Sequence, residues 1–427
     1  MGIFAPAFLK IVNLTVLDWL LLLLCLSAVW FYNYAIYAAI AFSIRLTHQQ
    51  RKNVIPSDSE ESQTPMIAYL LRKSSSKPSQ PADPEFSPAI TVLKPICGLD
   101  EGAYKNFASF CQQDYREYEI IFSVQDARDP CVEVVEQIIN DFPAVDIRLV
   151  VSDRAIGTNP KVNNLANAAA QAKYDILLMA DSDIRVGTDY LQRAIEPLQE
   201  ERVGVVTCLY RSLAQGWAAT WEAIGTATEF SAGVLVSQQL EGIQFALGST
   251  IAIRKDVLEA IGGFEAIADY LADDFQLGYL PVQAGYKVAL ANYVVDHVLA
   301  STSLTDSIGH QIRWARVIRV SRPWGYLGLI CTYGTVTSLL LLIITKGSLL
   351  GWTVLGITWI LRVAMGWIVG VRCLQDPSTQ QYWWLVPLRD LISFAIWCYG
   401  FFGSTIEWRG QQMKLTKEGK LERLKAQ

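Results

Sequence analysis

The chain has 427 residues, of which 52% are hydrophobic and 18% charged, and its mean hydropathy is +0.24. The charged fraction lies below the about 25% of typical soluble proteins, so part of the chain is expected to lie in a membrane. The net charge of −5 argues against a nucleic-acid binder, because phosphates need a surplus of cations. The 8 cysteines form no Cys-x-x-Cys pair, which indicates reduced, space-filling thiols rather than disulfides or a zinc site.

A long apolar segment near the start of the sequence predicts a membrane helix. Residues Trp19–Ile44 contain no charged side chain, and about 20 apolar residues suffice to cross a bilayer as a helix. The run is too long for the core of a signal peptide, so it is predicted to remain as an anchor. By the positive-inside rule, four basic residues that follow it place the next domain in the cytoplasm: Arg45, His48, Arg51 and Lys52.

Changes in composition divide the chain into four predicted parts. These are a membrane anchor (1–52), a linker rich in Ser, Pro, Glu and Gln (53–88), a folded domain (89–322), and membrane helices with a basic tail (323–427). In the folded domain short apolar runs alternate with helical patterns such as Cys131–Phe142 and Tyr190–Leu198, which is typical of an α/β domain with a mostly parallel sheet. The predicted strands are Ile90–Leu93, Tyr118–Val124, Val145–Val151, Ile176–Met179 and Val203–Cys208.

The last part of the chain contains three further candidate membrane segments. The second carries Arg362, and the third carries Arg389 and Asp390, so both are expected to be tilted, re-entrant or beside a polar cleft. Three full crossings would put the basic tail on the far side of the membrane, against the positive-inside rule. One segment is therefore expected not to cross, among Tyr326–Ile344, Leu349–Val371 and Trp383–Phe402.

The first motif that suggests a chemical function is Asp181-Ser182-Asp183, which begins one residue after the predicted strand Ile176–Met179. Ligands of such sheets bind beyond the carboxyl ends of the strands, where both carboxylates can reach one divalent cation and its diphosphate ligand. Mg²⁺ or Mn²⁺ suits this oxygen-rich arrangement. Alone, such a pair is more often an Asp-rich turn that begins a helix, so the other motifs decide the interpretation.

Three other motifs follow in a fixed order along the chain. Asp126 ends an apolar strand, Asp273-Asp274 begins a helical pattern, and Arg313-Trp314 precedes the apolar C-terminal part. Each has an ordinary interpretation: a strand-ending acid, charges that complement a helix dipole, or a basic interfacial helix. As an ordered set they provide what a nucleotide-sugar transferase needs, namely a base contact, a metal for diphosphate, a general base and a leaving-group clamp.

Seven stretches of the sequence match one known family: LKPICGLD (Leu93–Asp100), SVQDARDP (Ser123–Pro130), GTNPKVNNL (Gly157–Leu165), DSDIRV (Asp181–Val186), GSTIAIRKDVLEAIGGF (Gly248–Phe264), ADDF (Ala272–Phe275) and HQIRWAR (His310–Arg316). The chain resembles the membrane glycosyltransferases of the ceramide glucosyltransferase type, whose bacterial relatives include glycosyltransferases of hopanoid biosynthesis. The resemblance covers roughly Thr91–Arg322 and the membrane layout. It implies a GT-A fold and inversion of the anomeric centre, from a UDP-α-sugar to a β-glycoside.

The resemblance also implies a role for each motif residue. Asp274 would be the general base that deprotonates the acceptor hydroxyl, and Arg313 and Trp314 would close the site over the donor. Asp181 and Asp183 would bind the Mg²⁺ or Mn²⁺ ion with the diphosphate.

Six residues are expected to bind the donor. Asp126 would contact the uracil or ribose, and Lys161 and Asn164 would lie near the diphosphate. The full set is Lys94, Asp126, Lys161, Asn164, Asp181 and His310.

Two departures from the family pattern bear on the substrates. His310 stands where the family usually has Gln or Arg, and Asp183 is present where eukaryotic ceramide enzymes typically lack the second acid. The second departure favours the bacterial relatives, a bacterial inner membrane and an acceptor other than ceramide. The expected partners are a UDP-sugar, carrying glucose or N-acetylglucosamine, and a membrane lipid such as ceramide or a hopanoid polyol. His297 is either a third metal ligand or a structural histidine.

Other interpretations remain open at this stage. The same site could belong to a processive polysaccharide synthase, although three or four spans are few for a translocation channel. A membrane protein without enzymatic activity is disfavoured by the ordered acids. The segment Gly216–Leu240 is either a membrane-resting element near the acceptor entrance or a plain core helix.

Overall fold

The computed structural model describes residues 14–52, 86–408 and 411–423. Its α/β domain is built on one eight-stranded mixed sheet. The strands are β1 (Ile90–Pro95), β2 (Tyr118–Val124), β3 (Asp146–Val151), β4 (Ile176–Met179), β5 (Ile184–Arg185), β6 (Val203–Ala214), β7 (Ile251–Arg254) and β8 (Lys287–Leu299). The predicted linker, 53–88, lies mostly outside the described residues, and the four-part division of the chain stays a prediction.

The strand order is β3-β2-β1-β4-β7-β6-β8-β5. The pairs β3-β2, β2-β1, β1-β4 and β6-β8 are parallel, while β7 is antiparallel to both of its neighbours and β5 is antiparallel to β8. All five predicted strands are present, and β6 continues beyond Cys208 to Ala214. β5, β7 and β8 were not predicted, because short apolar runs do not distinguish a strand from a buried helical turn.

Helices connect these strands, and the predicted helical patterns at 131–142 and 190–198 are both present. The second of them is divided between an α-helix and a 3₁₀ turn, Glu196–Gln199. The helices are α2 (Ala103–Cys111), α3 (Cys131–Asp141), α4 (Pro160–Ala169), α5 (Tyr190–Ile195), α6 (Gly216–Gly225), α7 (Ser231–Leu240), α8 (Lys255–Ala260), α9 (Asp273–Gln283) and α10 (Leu304–Ser321), after an N-terminal α1 (Val16–Lys52).

The middle of the sheet is buried along its whole length and mostly apolar. Every residue of β1 is buried, and so are those of β4. Continuous apolar strands of this kind are typical of parallel sheets covered on both faces. The register pairs Leu93 of β1 with Met179, the last residue of β4, so β1 continues past the end of β4 and brings Lys94 close to Asp181. Polar chemistry is thus concentrated at one edge of an apolar sheet.

The N-terminal helix α1 packs against the C-terminal helices. Val16–Thr47 is long and apolar enough to span a bilayer. Tyr32 is its main polar contact, because its hydroxyl donates to the carbonyl of Thr332 (2.9 Å) and accepts from the amide of Gly334 (3.0 Å). A Cβ on Gly334 would lie 2.8 Å from that of Ala28, so glycine permits the close approach of the two segments.

The C-terminal region contains one long helix and one broken pair. The helix α13 (Leu349–Gly366) continues through a π-helical stretch to Cys373 and could span a bilayer. Before it, α11 (Pro323–Gly328) and α12 (Gly334–Ile344) belong to a pair bent by 55°. In contrast, α15 (Val386–Gly400) has 15 residues, about 22 Å of helix at 1.5 Å per residue, against a hydrocarbon core of about 30 Å.

Both ends of α15 lie against the α/β domain. Before it, α14 (Pro377–Tyr382) follows Asp376, whose carboxylate accepts from the amide of Ser212 in β6 (3.3 Å). After it, Arg316 of α10 donates to the carbonyls of Phe402 (3.0 Å) and Thr405 (2.5 Å). The third predicted segment, Trp383–Phe402, therefore returns to the side from which it starts.

The described part of the basic tail is a folded element. β9 (Thr405–Trp408), β10 (Gln411–Leu415) and β11 (Leu421–Arg423) form a three-stranded antiparallel sheet. The amide of Leu421 donates to the carbonyl of Asp269 (2.7 Å), and the amide of Leu271 donates to that of Gly419 (3.2 Å). Three full crossings after residue 322 are therefore incompatible with this structure, because the tail sheet contacts the α/β domain directly.

The three charges predicted inside the membrane segments are buried, and Arg362 and Asp390 compensate each other. Arg362 is 2% exposed and its guanidinium lies 2.7 Å from a carboxylate oxygen of Asp390. Thr335 donates to the other oxygen of Asp390 (2.5 Å). Arg389 donates to the side chain of Gln311 (2.6 Å), so this polar cleft continues into α10.

Because α13 ends beside the α/β domain, the turn before its start, which contains Lys346, must face the opposite side if α13 spans the membrane. In a Cys97→Ser background, a membrane-impermeant maleimide should label Lys417→Cys from the side on which native Cys97 is labelled. It should label Lys346→Cys only from the other side of sealed vesicles. Labelling of both engineered cysteines from one side would contradict this topology.

Candidate active site

The Asp-Ser-Asp motif lies where β1 and β4 end. Asp181 follows β4 and Asp183 precedes β5, and their side chains are 36% and 35% exposed. Lys94 lies beneath them, fully buried, and donates to the backbone carbonyl of Asp181 at 2.5 Å. Its ammonium stacks 4.0 Å from the centre of the Phe110 ring. Lys94 therefore supports the Asp181 loop from within the core, rather than lying on the open face as a donor-binding residue would.

Burial lowers the pKa of Lys94 to about 7, and the carboxylates of Asp183 and Asp181 oppose that shift. Desolvation disfavours the charged form of a lysine, so only nearby anions keep it protonated near neutral pH.

Lys161 is the cation that joins the acidic groups of the site. It lies in the first turn of α4, which Asn159 caps by accepting from the amides of residues 161 and 162. Its ammonium lies 2.6 Å from Asp181 and 3.4 Å from Asp273. Burial lowers the pKa of Lys161, but the carboxylates of Asp181, Asp273 and Asp274 outweigh it and raise the pKa above its usual value.

Asp274 sits at the start of α9, as predicted, and is half-buried. One of its oxygens accepts from the amide of Gly248 at 3.2 Å. Burial and the neighbouring Asp273 raise the pKa of Asp274 to about 6, against the opposing effect of Lys161. At neutral pH the group is a carboxylate, and it is a stronger base than an exposed aspartate.

Gly248 lets three side chains of the site come close to its backbone. A Cβ at this position would lie 2.9 Å from Asp181 Oδ2, 3.3 Å from Lys161 Nζ and 3.5 Å from Asp274 Oδ2. Its backbone conformation does not require glycine. The absence of a side chain is therefore explained by crowding, because three predicted functional groups already occupy the positions around it.

His297 pairs with Asp183 across the β5–β8 ladder. The ladder aligns Ile184 with His297, and His297 Nε2 lies 3.2 Å from Asp183 Oδ2. Burial lowers the pKa of His297, but Asp183 outweighs it and raises the pKa; the same pairing lowers the pKa of Asp183 in spite of its burial. Of the two interpretations, a third metal ligand or a structural histidine, this contact favours the structural one, with His297 as the partner of Asp183.

The Arg-Trp motif lies on α10, on the membrane side of the domain. His310 Nδ1 lies 2.8 Å from the carboxylate of Glu222, and the His310 and Trp314 rings are 5.6 Å apart. Arg313 is partly buried on the same helix. Glu222 was missed by sequence analysis, since it follows no strand and its partner is distant in the chain.

Two other predicted donor residues lie after β2 and within α4. Asp126, after β2, forms an ion pair with Arg128 (2.8 Å), and its side chain is 53% exposed. Hydrogen bonds from Arg128 lower the pKa of Asp126 to about 2. Asn164 of α4 is buried and donates to the carbonyl of Ile96 (3.0 Å), and its Oδ1 has no partner among the described residues.

The residues at this edge offer suitable ligands for a divalent cation, but too few of them to complete its coordination. Asp181 and Asp183 offer hard, partly exposed oxygen ligands, which Mg²⁺ and Mn²⁺ prefer. The described residues contain no group of three or more His, Cys, Asp or Glu side chains that could hold a metal ion. A cation here would thus be bound by two carboxylates and would need further oxygens from a ligand such as a diphosphate.

The site lies at the carboxyl edge of a mixed α/β sheet, with paired acids, a lysine and an adjoining membrane bundle. This arrangement is typical of a membrane-associated glycosyltransferase, and comparison with known proteins supports that class. Residues 62–421 match Glycosyl transferase family 21. The chain belongs to this family and is a glycosyltransferase enzyme. This match confirms the resemblance to ceramide glucosyltransferase-type enzymes and the predicted α/β, GT-A-type fold with membrane helices.

The similar proteins of known function include several ceramide glucosyltransferases. Ceramide glucosyltransferase 1 of Caenorhabditis elegans is 27% identical over 78% of this chain and 73% of its own length. The ceramide glucosyltransferase of Komagataella phaffii is 35% identical over 31% of this chain and 28% of its own. Among solved structures, a mannosyltransferase of Pyrobaculum calidifontis in complex with GDP-Man and Mn²⁺ aligns with 89% of this chain and 99% of its own, at 16% identity and a TM-score of 0.48.

We expect Gly248→Ala to lower transferase activity by about 10- to 100-fold, because an added methyl group overpacks the space between Asp181, Lys161 and Asp274. Initial rates on purified protein measure the effect. Gly233→Ala in α7 is the matched control, because its Cβ would meet nothing within 4 Å. Equal activity of both variants would contradict a role of this arrangement of Asp181, Lys161 and Asp274 in transfer.

Proposed function

We propose that this enzyme transfers one sugar from a UDP-sugar to a hydroxyl group of a membrane lipid, with inversion of the anomeric centre. The observation that carries the proposal is the convergence of Asp181, Lys161 and Asp274 around Gly248, next to a helix that adjoins the membrane bundle. The donor sugar is glucose or N-acetylglucosamine. The names of the ceramide glucosyltransferase relatives favour glucose and a ceramide-like acceptor. The paired acids favour a bacterial acceptor such as a hopanoid polyol.

The charges at the sheet edge support diphosphate binding. Lys161 supplies a protonated amine, and a Mg²⁺ or Mn²⁺ ion held by Asp181 and Asp183 would neutralise the diphosphate leaving group. Arg313 and Trp314 lie on α10 and would close over the donor. Asp126, at the neighbouring end of β2, would contact the uracil or ribose.

We assign to Asp274 the removal of the proton from the acceptor hydroxyl group. The acceptor oxygen forms a bond to the anomeric carbon while the bond from that carbon to the diphosphate oxygen breaks. Asp274 accepts the hydroxyl proton, and its pKa of about 6 leaves it ionised at neutral pH. A single displacement of this kind inverts the anomeric centre.

The membrane elements support a lipid acceptor. α1 and α13 are long enough to span a bilayer, and the bent pair α11–α12 adds a third span if it crosses. Trp324, 83% exposed, lies at the junction of α10 with the bundle, where a tryptophan can rest in a membrane interface. We place the catalytic domain on the cytoplasmic side, in a bacterial inner membrane. The alternative is a processive synthase, but the two or three candidate spans among the described residues are few for its channel.

Transfer should depend on both substrates and on a divalent cation. Purified enzyme with Mg²⁺ or Mn²⁺ should release UDP only when UDP-glucose or UDP-N-acetylglucosamine is combined with ceramide, diacylglycerol or a hopanoid polyol. EDTA should abolish release and added Mn²⁺ should restore it, while Asp181→Ala should remain inactive with either ion. A product that grows beyond one sugar would identify a processive synthase instead.

Asp274→Asn should lower kcat by about 100- to 10,000-fold, the usual contribution of a general base. The affinity for UDP should stay within about threefold of wild type, because the variant keeps its size and the diphosphate groups are untouched. Calorimetric titration with UDP and steady-state rates measure the two effects. Asp256→Asn, an exposed acid in the first turn of α8, is the control. Near-normal kcat in Asp274→Asn would exclude it as the base.

A further inference from the structure

Glu222 of α6 is a buried acid that none of the roles above uses. Its side chain is 12% exposed, and burial of a carboxylate is costly unless partners compensate it. Both of its partners lie on α10: Ser307 donates at 2.7 Å, and His310 Nδ1 lies at 2.8 Å. Burial raises the pKa of Glu222, but these two hydrogen bonds and His310 outweigh it and lower the pKa, so the group is charged.

The helix α10 depends on such polar contacts for its position. Only Ser307 and Ala315 among its residues are buried, so apolar packing fixes little of its orientation. Glu222 is bonded to the first half of the helix, just before the Arg-Trp motif. At the far end, Arg322 pairs with Glu241 at 2.9 Å, but that pair is exposed and contributes little.

A series of ring contacts leads from His310 to the Asp-Ser-Asp motif. The His310 ring lies 5.6 Å from Trp314, and Trp314 lies 5.8 Å from Phe230. Phe230 is 5.9 Å from Tyr210, which is 5.4 Å from His297. His297 pairs with Asp183, as described above. A displacement of His310 would therefore move the ring that is expected to cover the donor.

We propose that Glu222 is a positioning residue that, by holding His310 and Ser307, keeps Trp314 and the first half of α10 in place for sugar transfer. The effect on catalysis rests on the proposed function. The docking of α10 by Glu222 rests on geometry alone.

Hydrogen–deuterium exchange of the full-length protein without donor tests the docking. In Glu222→Ala, peptides from 304–316 should exchange about 10- to 100-fold faster, the effect of losing a buried charged hydrogen bond. Glu241→Gln, which removes the exposed contact at the other end of α10, should leave these peptides unchanged. Unchanged exchange in Glu222→Ala would overturn the proposal. If that variant does not fold, Glu222→Gln, which keeps the shape and removes the charge, replaces it.

A double-mutant cycle tests the catalytic consequence. Glu222→Ala and His310→Ala should each lower kcat/KM by about 10-fold or more, and the double variant should be within about threefold of the weaker single variant. Glu222→Gln should retain more activity than Glu222→Ala, since it keeps one acceptor oxygen. If the losses of kcat/KM in the two single variants multiplied in the double variant, Glu222 would not act through His310. A wild-type enzyme inactive with every UDP-sugar would overturn the proposed function instead, and the exchange result would then decide the docking alone.

Discussion

The active-site edge depends on one ammonium group held among three carboxylates. Lys161 lies 2.6 Å from Asp181 and 3.4 Å from Asp273, with Asp274 in the same cluster. Two like charges about 4 Å apart repel by about 4 kcal/mol at the effective dielectric of a protein surface. Without the lysine, the ionised carboxylates at the end of β4 and at the start of α9 would repel each other. The proposed transfer site is thus an electrostatic junction between two segments that are distant in sequence.

A second polar junction lies between the membrane helices. Arg362 and Asp390 are almost fully buried and satisfy each other, and removing either would leave a buried charge unpaired. Glu229 lies 3.9 Å from Arg362 and 3.8 Å from Arg389, which in turn bonds Gln311 of α10. The helix that carries the Arg-Trp motif is consequently attached by polar contacts to the catalytic domain on one side and to the bundle on the other.

The sequence predicted those features that local patterns encode. The apolar runs located five strands, and Asp181 and Asp274 were found because each stands at the boundary of such a run or helix. Lys94 was expected at the donor, but register places it beneath the Asp181 loop. Glu222 was not found, since its partners are 85 and 88 residues away and no local pattern marks it. The strands of the tail were hidden by their length and basic composition.

The tail sheet also gives the site an order of assembly. The amide of Leu421 in β11 donates to the carbonyl of Asp269, and the Asp269 side chain accepts from Thr158. The last described strand therefore supports the loops that precede Lys161 and Asp274. β11 follows both α12 and α13 in the chain. During synthesis these loops can gain their final support only after the helices of the bundle have been made. Completion of the catalytic edge is therefore linked to completion of the membrane part, and a chain interrupted before its tail would lack that support.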